Sequence, residues 1–328
     1  MAGQASVRPT DVDGYAGLTL ASPDDVVEAT FLPQLGMVGC SLLHRGEELL
    51  ERRGGPTAYA ERGSSFGIPL LHPWANRLSG WEYTAAGRRV QIDHGSPLAH
   101  VDGATGLPMH GLLSASPDWI VTHAAVAADS RVAELRAELD FAADPARLAA
   151  FPFPHRLSFH AGVGASGLTV GLTLTPTGTQ PVPISFGFHP YVRLPGSARR
   201  TWSVELPVLR RAVLDDRGIP TGADEALDER ELSGRLADRG FDDSFDRLGP
   251  SPAHRPLAFS VADDRRRVSV EFLSGYTVAH VFAPAAADFV CFEPMTAPVD
   301  ALTSGRGLGW VDPGGSFTAE FAFSVTGI

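Results

Sequence analysis

The sequence predicts an all-β chain, a large single-domain antiparallel β-sandwich with few short helices, on three observations. First, 35 glycines and 26 prolines are scattered along its 328 residues. That spread interrupts long helices and favours short strands joined by turns. Second, Leu168-Thr169-Val170-Gly171-Leu172-Thr173-Leu174 alternates apolar and polar positions, the period of a strand with one buried face. Sheets with one buried face must cover one another, which suggests a sandwich. Third, hydrophobic residues make up 44% and charged residues 20%, a balance that supports a substantial core in a globular chain.

The elements follow in order. Residues 1–13 are small and polar and predict a flexible N-terminal tail, leaving residues 14–328 as one continuous domain. Residues 26–31 form an apolar run followed by Pro33 and Gly36 and then by the apolar run 37–43, which predicts two strands with a turn between them. Residues 132–141 fit a period of two through Leu135, Leu139 and Phe141 and are assigned to a strand, although propensity also allows a short helix. Between Thr221 and Arg239, Asp224, Glu225, Asp228, Glu229 and Glu231 crowd one window. This predicts a surface excursion with one helical turn. No repeat of solenoid or propeller period is present.

A formal net charge of −11 argues against a nucleic-acid partner, which requires a basic face. The pairs Arg199-Arg200 and Arg210-Arg211 and the triplet Arg265-Arg266-Arg267 are expected in solvated turns. Cys40 and Cys291 each sit in an apolar strand-like run, where cysteine acts as a small buried hydrophobe, so no disulfide framework is expected. The polar N-terminus and the absence of a long apolar span make a cytoplasmic location, away from membranes, the default expectation.

Four segments set polar, titratable groups beside aromatics. In Phe186-Gly187-Phe188-His189-Pro190-Tyr191-Val192, a rigidifying proline follows a histidine, the side chain whose ordinary pKa suits proton transfer near neutrality. A histidine alone in such a run packs more often than it reacts; the rest of the chain reverses that reading. In residues 67–78, Asn76 and Arg77 supply several donors beside Trp74 and suit sugar hydroxyls. In residues 107–113, Gly111 lets backbone approach a ligand closely and His110 is a second donor. The fourth segment pairs Asp242-Asp243 with Glu293 in Val290-Cys291-Phe292-Glu293-Pro294. A carboxylate at the end of an apolar strand is partly desolvated, which raises its pKa and makes Glu293 a candidate base. His94, His100 and His110 fit no zinc-ligand spacing, and a metal site is rejected.

In order and spacing these segments resemble the aldose 1-epimerase (galactose mutarotase-like) family. The resemblance spans most of the chain: the strand pair around Gly36, Pro73-Trp74-Ala75-Asn76-Arg77, Met109-His110-Gly111, His189-Pro190-Tyr191, the turn Arg217-Gly218-Ile219-Pro220-Thr221-Gly222, Asp242-Asp243-Ser244-Phe245, and Glu293-Pro294. It implies the supersandwich fold of that family and interconversion of the α and β anomers of a free aldose without a cofactor. Glu293 then corresponds to the general base and His189 to the general acid. Asn76, Arg77, His110 and Asp242 correspond to sugar-binding residues, with Asp243 an alternative to Asp242. Trp74, Trp119, Phe188 or Tyr191 are candidates to stack on the sugar.

His72 has no role under this resemblance and is either packing or an extra donor. Arg193 is either an exposed turn residue or a reader of an anionic substituent. Two rival functions remain at this stage: an epimerase of a phosphorylated or sulfonated sugar, and a non-catalytic carbohydrate-binding protein. The paired acid and base favour an enzyme acting as a monomer or homodimer on a small sugar.

Overall fold

The computed structural model describes residues 3–250 and 255–327. Its centre is a nine-stranded antiparallel sheet in the order Ser233–Arg235, Ser203–Glu205, Leu257–Ala262, Arg266–Ser274, Phe317–Gly327, Gly167–Pro176, His155–Gly164, Ala133–Asp140, Ile120–Val126. The alternation read at 168–174 has its physical cause here: Leu168, Val170, Leu172 and Leu174 face the core. A six-stranded sheet packs against it. Its main path is Phe241–Phe245, Val278–Ala283, Val290–Met295, Gly187–Phe188, Leu70–Leu71, with Tyr191–Val192 also paired to Val290–Met295.

The two sheets meet through aromatic rings. Phe292 lies 5.9 Å from Phe259 and Phe188 lies 5.1 Å from Phe321. A third, N-terminal sheet of five strands joins the same core through Phe31, whose ring is edge-on to Phe159 at 5.6 Å. All these rings belong to one large apolar cluster. Burying each is worth about 1.5–3 kcal/mol relative to exposure. The fold class is the all-β sandwich that the glycine, proline and alternation pattern predicts, and its helices are few and short.

Of three local expectations, one needs correction and two hold. The tail expected at 1–13 is in large part a strand, Ser6–Val12, paired residue for residue with Tyr15–Ala21. Asp13 (φ 55°) and Gly14 (φ 86°) turn the chain between them, the left-handed geometry of a tight hairpin. None of that strand's residues is buried, which is why its polarity resembles a tail. The excursion at 221–239 does contain one helical turn, Glu229–Leu232, closed by a capping box between Asp228 and Glu231. Strands Pro220–Ala226 and Ser233–Arg235 flank it. The residues 132–141 are strand, with Phe141 opening a short 3-10 turn.

Not every clustered arginine lies in a solvated turn. Arg199 is buried, and its guanidinium donates to the carbonyls of Ala237, Arg239 and Ala283. Arg266 is buried and pairs with Glu47. Carbonyls in a closed interior lose stability when their donors are removed. Arg199→Met, which keeps the bulk of the side chain, is therefore expected to cost about 3 kcal/mol in urea denaturation; a change under about 1 kcal/mol would mean that water replaces the guanidinium.

Candidate active site

The chemistry gathers on the outward face of the six-stranded sheet. Alternation along Val290–Met295 sends Phe292 into the core and Glu293 out of the other face. Register then places His280 directly opposite Glu293 on the neighbouring strand. One strand further, Ser244 is opposite His280, and Asp242, two residues along, shares that face. His280 Nε2 lies 2.9 Å from Asp242 Oδ1. A row of carboxylate, imidazole and carboxylate thus crosses three adjacent strands. Asp243, one residue out of phase, points the other way and faces Arg211 at 3.7 Å.

Loops complete the wall. The His189 segment is pinned by backbone bonds from His189 to Pro69 and from Tyr191 to Gly67. This sets His189 Nε2 3.1 Å from Glu293 Oε1. The Tyr191 ring stacks on the His189 ring at 4.5 Å and 8°. Opposite, Asn76 and His110 both hold positive φ, 57° and 63°, and the His110 amide donates to the Asn76 carbonyl. Two non-glycine residues in the left-handed region, side by side, are backbone strain of the kind found at functional sites. Arg77 donates from Nε to Asp102 Oδ2 at 2.8 Å and from Nη1 to Asn76 Oδ1 at 3.2 Å. The turn expected around Gly218 packs on Arg77: a Cβ at Gly218 would meet Arg77 Nη1 at 3.0 Å.

These residues line one pocket of about 350 Å³, within the range of small-molecule sites. Asn76, Arg77, His110, His189, Asp242 and Glu293 all face it. A larger hollow of about 640 Å³ lies on the outer face of the nine-stranded sheet. Its His160–Glu320 pair is open to water at about one third exposure of each side chain, so no buried acid or base lines it.

Burial dominates the electrostatics. It pushes the Glu293 carboxyl from 4.5 up to about 8, against the pull of His280. It pushes His189 well below the ordinary imidazole value, helped by His110 and His280. Burial, with His100 and Arg77 nearby, lowers His110 to about 3. For His280 burial works downward, but Glu293 and Asp242 outweigh it and its pKa is raised. At Asp102 burial is likewise outweighed, by bonds from Arg77, Thr105 and the Ala104 amide, and its carboxyl is held at about 2. The pocket therefore carries fixed charges at Arg77 and Asp102 beside a low-dielectric acid–base pair at Glu293 and His189.

Several expected residues lie elsewhere. Trp74, Trp119 and Phe188 are buried in the apolar core, since large apolar rings gain more from packing than from a wet pocket; Tyr191 and Phe282 are the aromatics that line it. His72 is core packing rather than an extra donor, with its Nε2 2.8 Å from His155 Nε2 among Phe141, Phe151 and Phe186. Arg193 faces Glu51 at 3.6 Å and does not line the pocket. Sequence reasoning missed His280, Asp102 and Arg53. A histidine at 280 inside the apolar strand Val278–Ala283 was the available signal for the first. No group of three or more His, Cys, Asp or Glu among the described residues has the geometry to hold a metal ion.

Comparison with known proteins agrees with this fold. The chain is 25% identical over 287 residues to the uncharacterized protein YihR of Escherichia coli (strain K12), covering 84% of this chain and 80% of the relative. A crystal structure of a galactose mutarotase-like protein from Clostridium acetobutylicum superposes with TM-score 0.86 at 16% identity, covering 99% of both chains. That of galactose 1-epimerase from Lactobacillus acidophilus NCFM superposes with TM-score 0.75 at 15% identity, again over 99% of both chains. The model of the aldose 1-epimerase family matches residues 41–324, and the chain belongs to that family.

Proposed function

We propose that this protein is an aldose 1-epimerase that interconverts the α and β anomers of a free aldose. The observation that carries the reading is the Glu293–His189 pair, 3.1 Å apart and buried at the floor of a sugar-sized pocket. Ring opening needs a base at the anomeric hydroxyl and an acid at the ring oxygen. With Glu293 ionised and His189 as imidazolium, Glu293 takes the hydroxyl proton while His189 delivers one to the ring oxygen. The C1–ring-oxygen bond breaks and the aldehyde forms. Rotation about C1–C2 presents the other carbonyl face, and the same groups close the ring with their roles exchanged. Arg77, Asn76, His110 and Asp242 hold hydroxyls meanwhile.

The shifted pKa values do not conflict with this assignment. Neutral Glu293 beside neutral His189 carries one proton, and so does the ion pair; the two differ only in where that proton sits. A bound sugar polarised by Arg77 and His280 can favour the charged arrangement, and the proton count never changes. Activity is expected to hold across neutral pH and to fall above about pH 8, where the pair loses its last proton. A profile of kcat/KM against pH that rises steadily through pH 9 would contradict this.

The direct test is two-dimensional NMR exchange on equilibrated glucose, galactose, xylose and arabinose. Enzyme-dependent cross-peaks between anomers are expected for at least one sugar. His189→Asn should reduce them by about 10²-fold or more. A folded wild type that produces no exchange on any aldose would sink the reading in favour of a sugar-binding protein.

A further inference from the structure

Four titratable side chains follow one another along the pocket floor, and one of them, His280, is neither the acid nor the base. Asp242 Oδ1 lies 2.9 Å from His280 Nε2. His280 stands directly opposite Glu293 across the strand pair, and Glu293 Oε1 lies 3.1 Å from His189 Nε2. Side chains opposite one another on neighbouring antiparallel strands have Cβ atoms about 5 Å apart. The strand Val290–Met295 lies between its two histidines: Val278–Ala283, which carries His280, pairs along one edge, and Gly187–Phe188 and Tyr191–Val192, which flank His189, pair along the other. His280 is therefore nearer to Glu293 than to His189. His280 is 2% exposed and Glu293 1%, so water and salt screen one from the other only weakly. Among the described residues, Glu293 Oε2 and His280 Nδ1 are both buried without a hydrogen-bond partner.

Charges reach this row from several sides. Glu293 and Asp242 favour the cationic form of His280, against burial and Arg77. His280 and Arg77 favour ionised Glu293, against burial and Asp242. His280 also disfavours a second cation on His110 and on His189, and Asp243 turns away to Arg211. Arg77 already bonds to Asp102 and Asn76, and the Asp242 side chain is 56% exposed. The imidazolium of His280 is thus the buried charge set directly beside Glu293. We infer that His280 is a positioning residue for proton transfer: anchored by Asp242, its charge draws the proton shared by Glu293 and His189 off the carboxylate and onto His189. The proton passes from Glu293 to His189 Nε2, no bond to carbon changes, and His280 keeps both of its own protons. What remains is carboxylate beside imidazolium, the arrangement that ring opening requires in the mutarotase reading, on which the catalytic part of this inference rests. A cation about 5 Å from Glu293 and farther from His189, at an effective dielectric constant of about 20, favours that shift by about tenfold.

The test reads the proton and the turnover separately. Carbon-13 labelling of glutamate carboxyls, with Glu293→Gln to assign the signal, follows the titration of Glu293 in the folded protein, expected near pH 8 in the wild type. His280→Gln preserves the bond to Asp242, because its amide reaches where Nε2 does, but carries no charge. It is expected to raise the titration of Glu293 by about one pH unit or more. His280→Lys restores a cation and should undo most of that rise. In anomer exchange, His280→Gln should lower kcat by about tenfold with KM within about threefold of wild type, and His280→Lys should regain most of the loss. A Glu293 titration that does not move in His280→Gln, or moves equally in both variants, overturns the inference and leaves His280 as a support for Asp242 alone. A titration that rises with kcat unchanged overturns the catalytic part. A titration that rises as expected in a protein whose wild type exchanges no anomers upholds the proton placement and sinks the mutarotase reading instead.

Discussion

Glu293→Gln is expected to lower turnover of the accepted aldose by about 10³-fold and, in the same molecule, to raise stability at alkaline pH. The first effect follows from the loss of the carboxylate paired with His189; positioned acid–base groups contribute about 10²–10⁴-fold. The second follows from linkage. The Glu293 carboxyl has a pKa of about 8 when folded against an ordinary value of 4.5, so the folded chain holds a proton that the unfolded chain releases. A raised carboxyl pKa leaves stability intact below pH 4.5 and removes it progressively as pH climbs to 8. The full interval corresponds to at most about 5 kcal/mol. Glutamine is the permanently neutral analogue and escapes that loss. Urea denaturation of both proteins at pH 5 and pH 8.5 should give curves that nearly coincide at the lower pH and separate by a few kcal/mol at the higher. If the wild type is the more stable of the two at pH 8.5, burial does not hold this carboxyl neutral.

Gly111→Ala is expected to be the most damaging single methyl addition near the site. Gly111 has φ 78° and bridges His72, and a Cβ built there would sit 2.1 Å from the His72 carbonyl oxygen and 2.3 Å from its carbon. Both obstacles are backbone, so no side-chain rotation relieves them. A suitable control is Gly314→Ala, whose φ is 84° but whose added methyl would meet nothing within 4 Å. The control isolates the cost of a left-handed alanine, about 1–2 kcal/mol. Gly111→Ala should exceed it by several kcal/mol and leave little soluble protein, because the strand crossing that also carries His110 has to separate. Urea midpoints for the pair decide the matter: near-equal values would mean that the 72 and 111 segments part easily.

Much of the site was legible because each group sits beside a residue that constrains the backbone. His189 precedes Pro190, His110 precedes Gly111, and Glu293 precedes Pro294. Asn76 and Arg77 come within four residues of Pro73. Such local punctuation survives in one dimension. His280 and Asp102 carry no such mark, and their place depends on strand register and loop contact, which only the assembled sheets define. Arg53 is harder still, since its approach to Tyr191 spans 138 positions of chain. The aromatic expectations failed for a different reason. The faces of Trp74, Trp119 and Phe188 suit a sugar ring, whereas their size commits them to the interior. The terminal strand Ser6–Val12 was hidden by composition, although Asp13-Gly14 is the dipeptide that tight hairpins favour.

The row formed by Asp242, His280 and Glu293 on three neighbouring strands also acts as a ruler. Hydrogen bonding fixes the spacing between strands at about 4.8 Å, so the row spans about 10 Å and cannot be lengthened without breaking the sheet. Under the proposed function, bond-making chemistry on this scaffold is then tied to one sugar ring at a time. The loops that bring Arg53, Ser64, His100 and Asp102 to the rim are under no such restraint. New substrates are thus most accessible by exchanging those loops, with the three strands beneath left untouched.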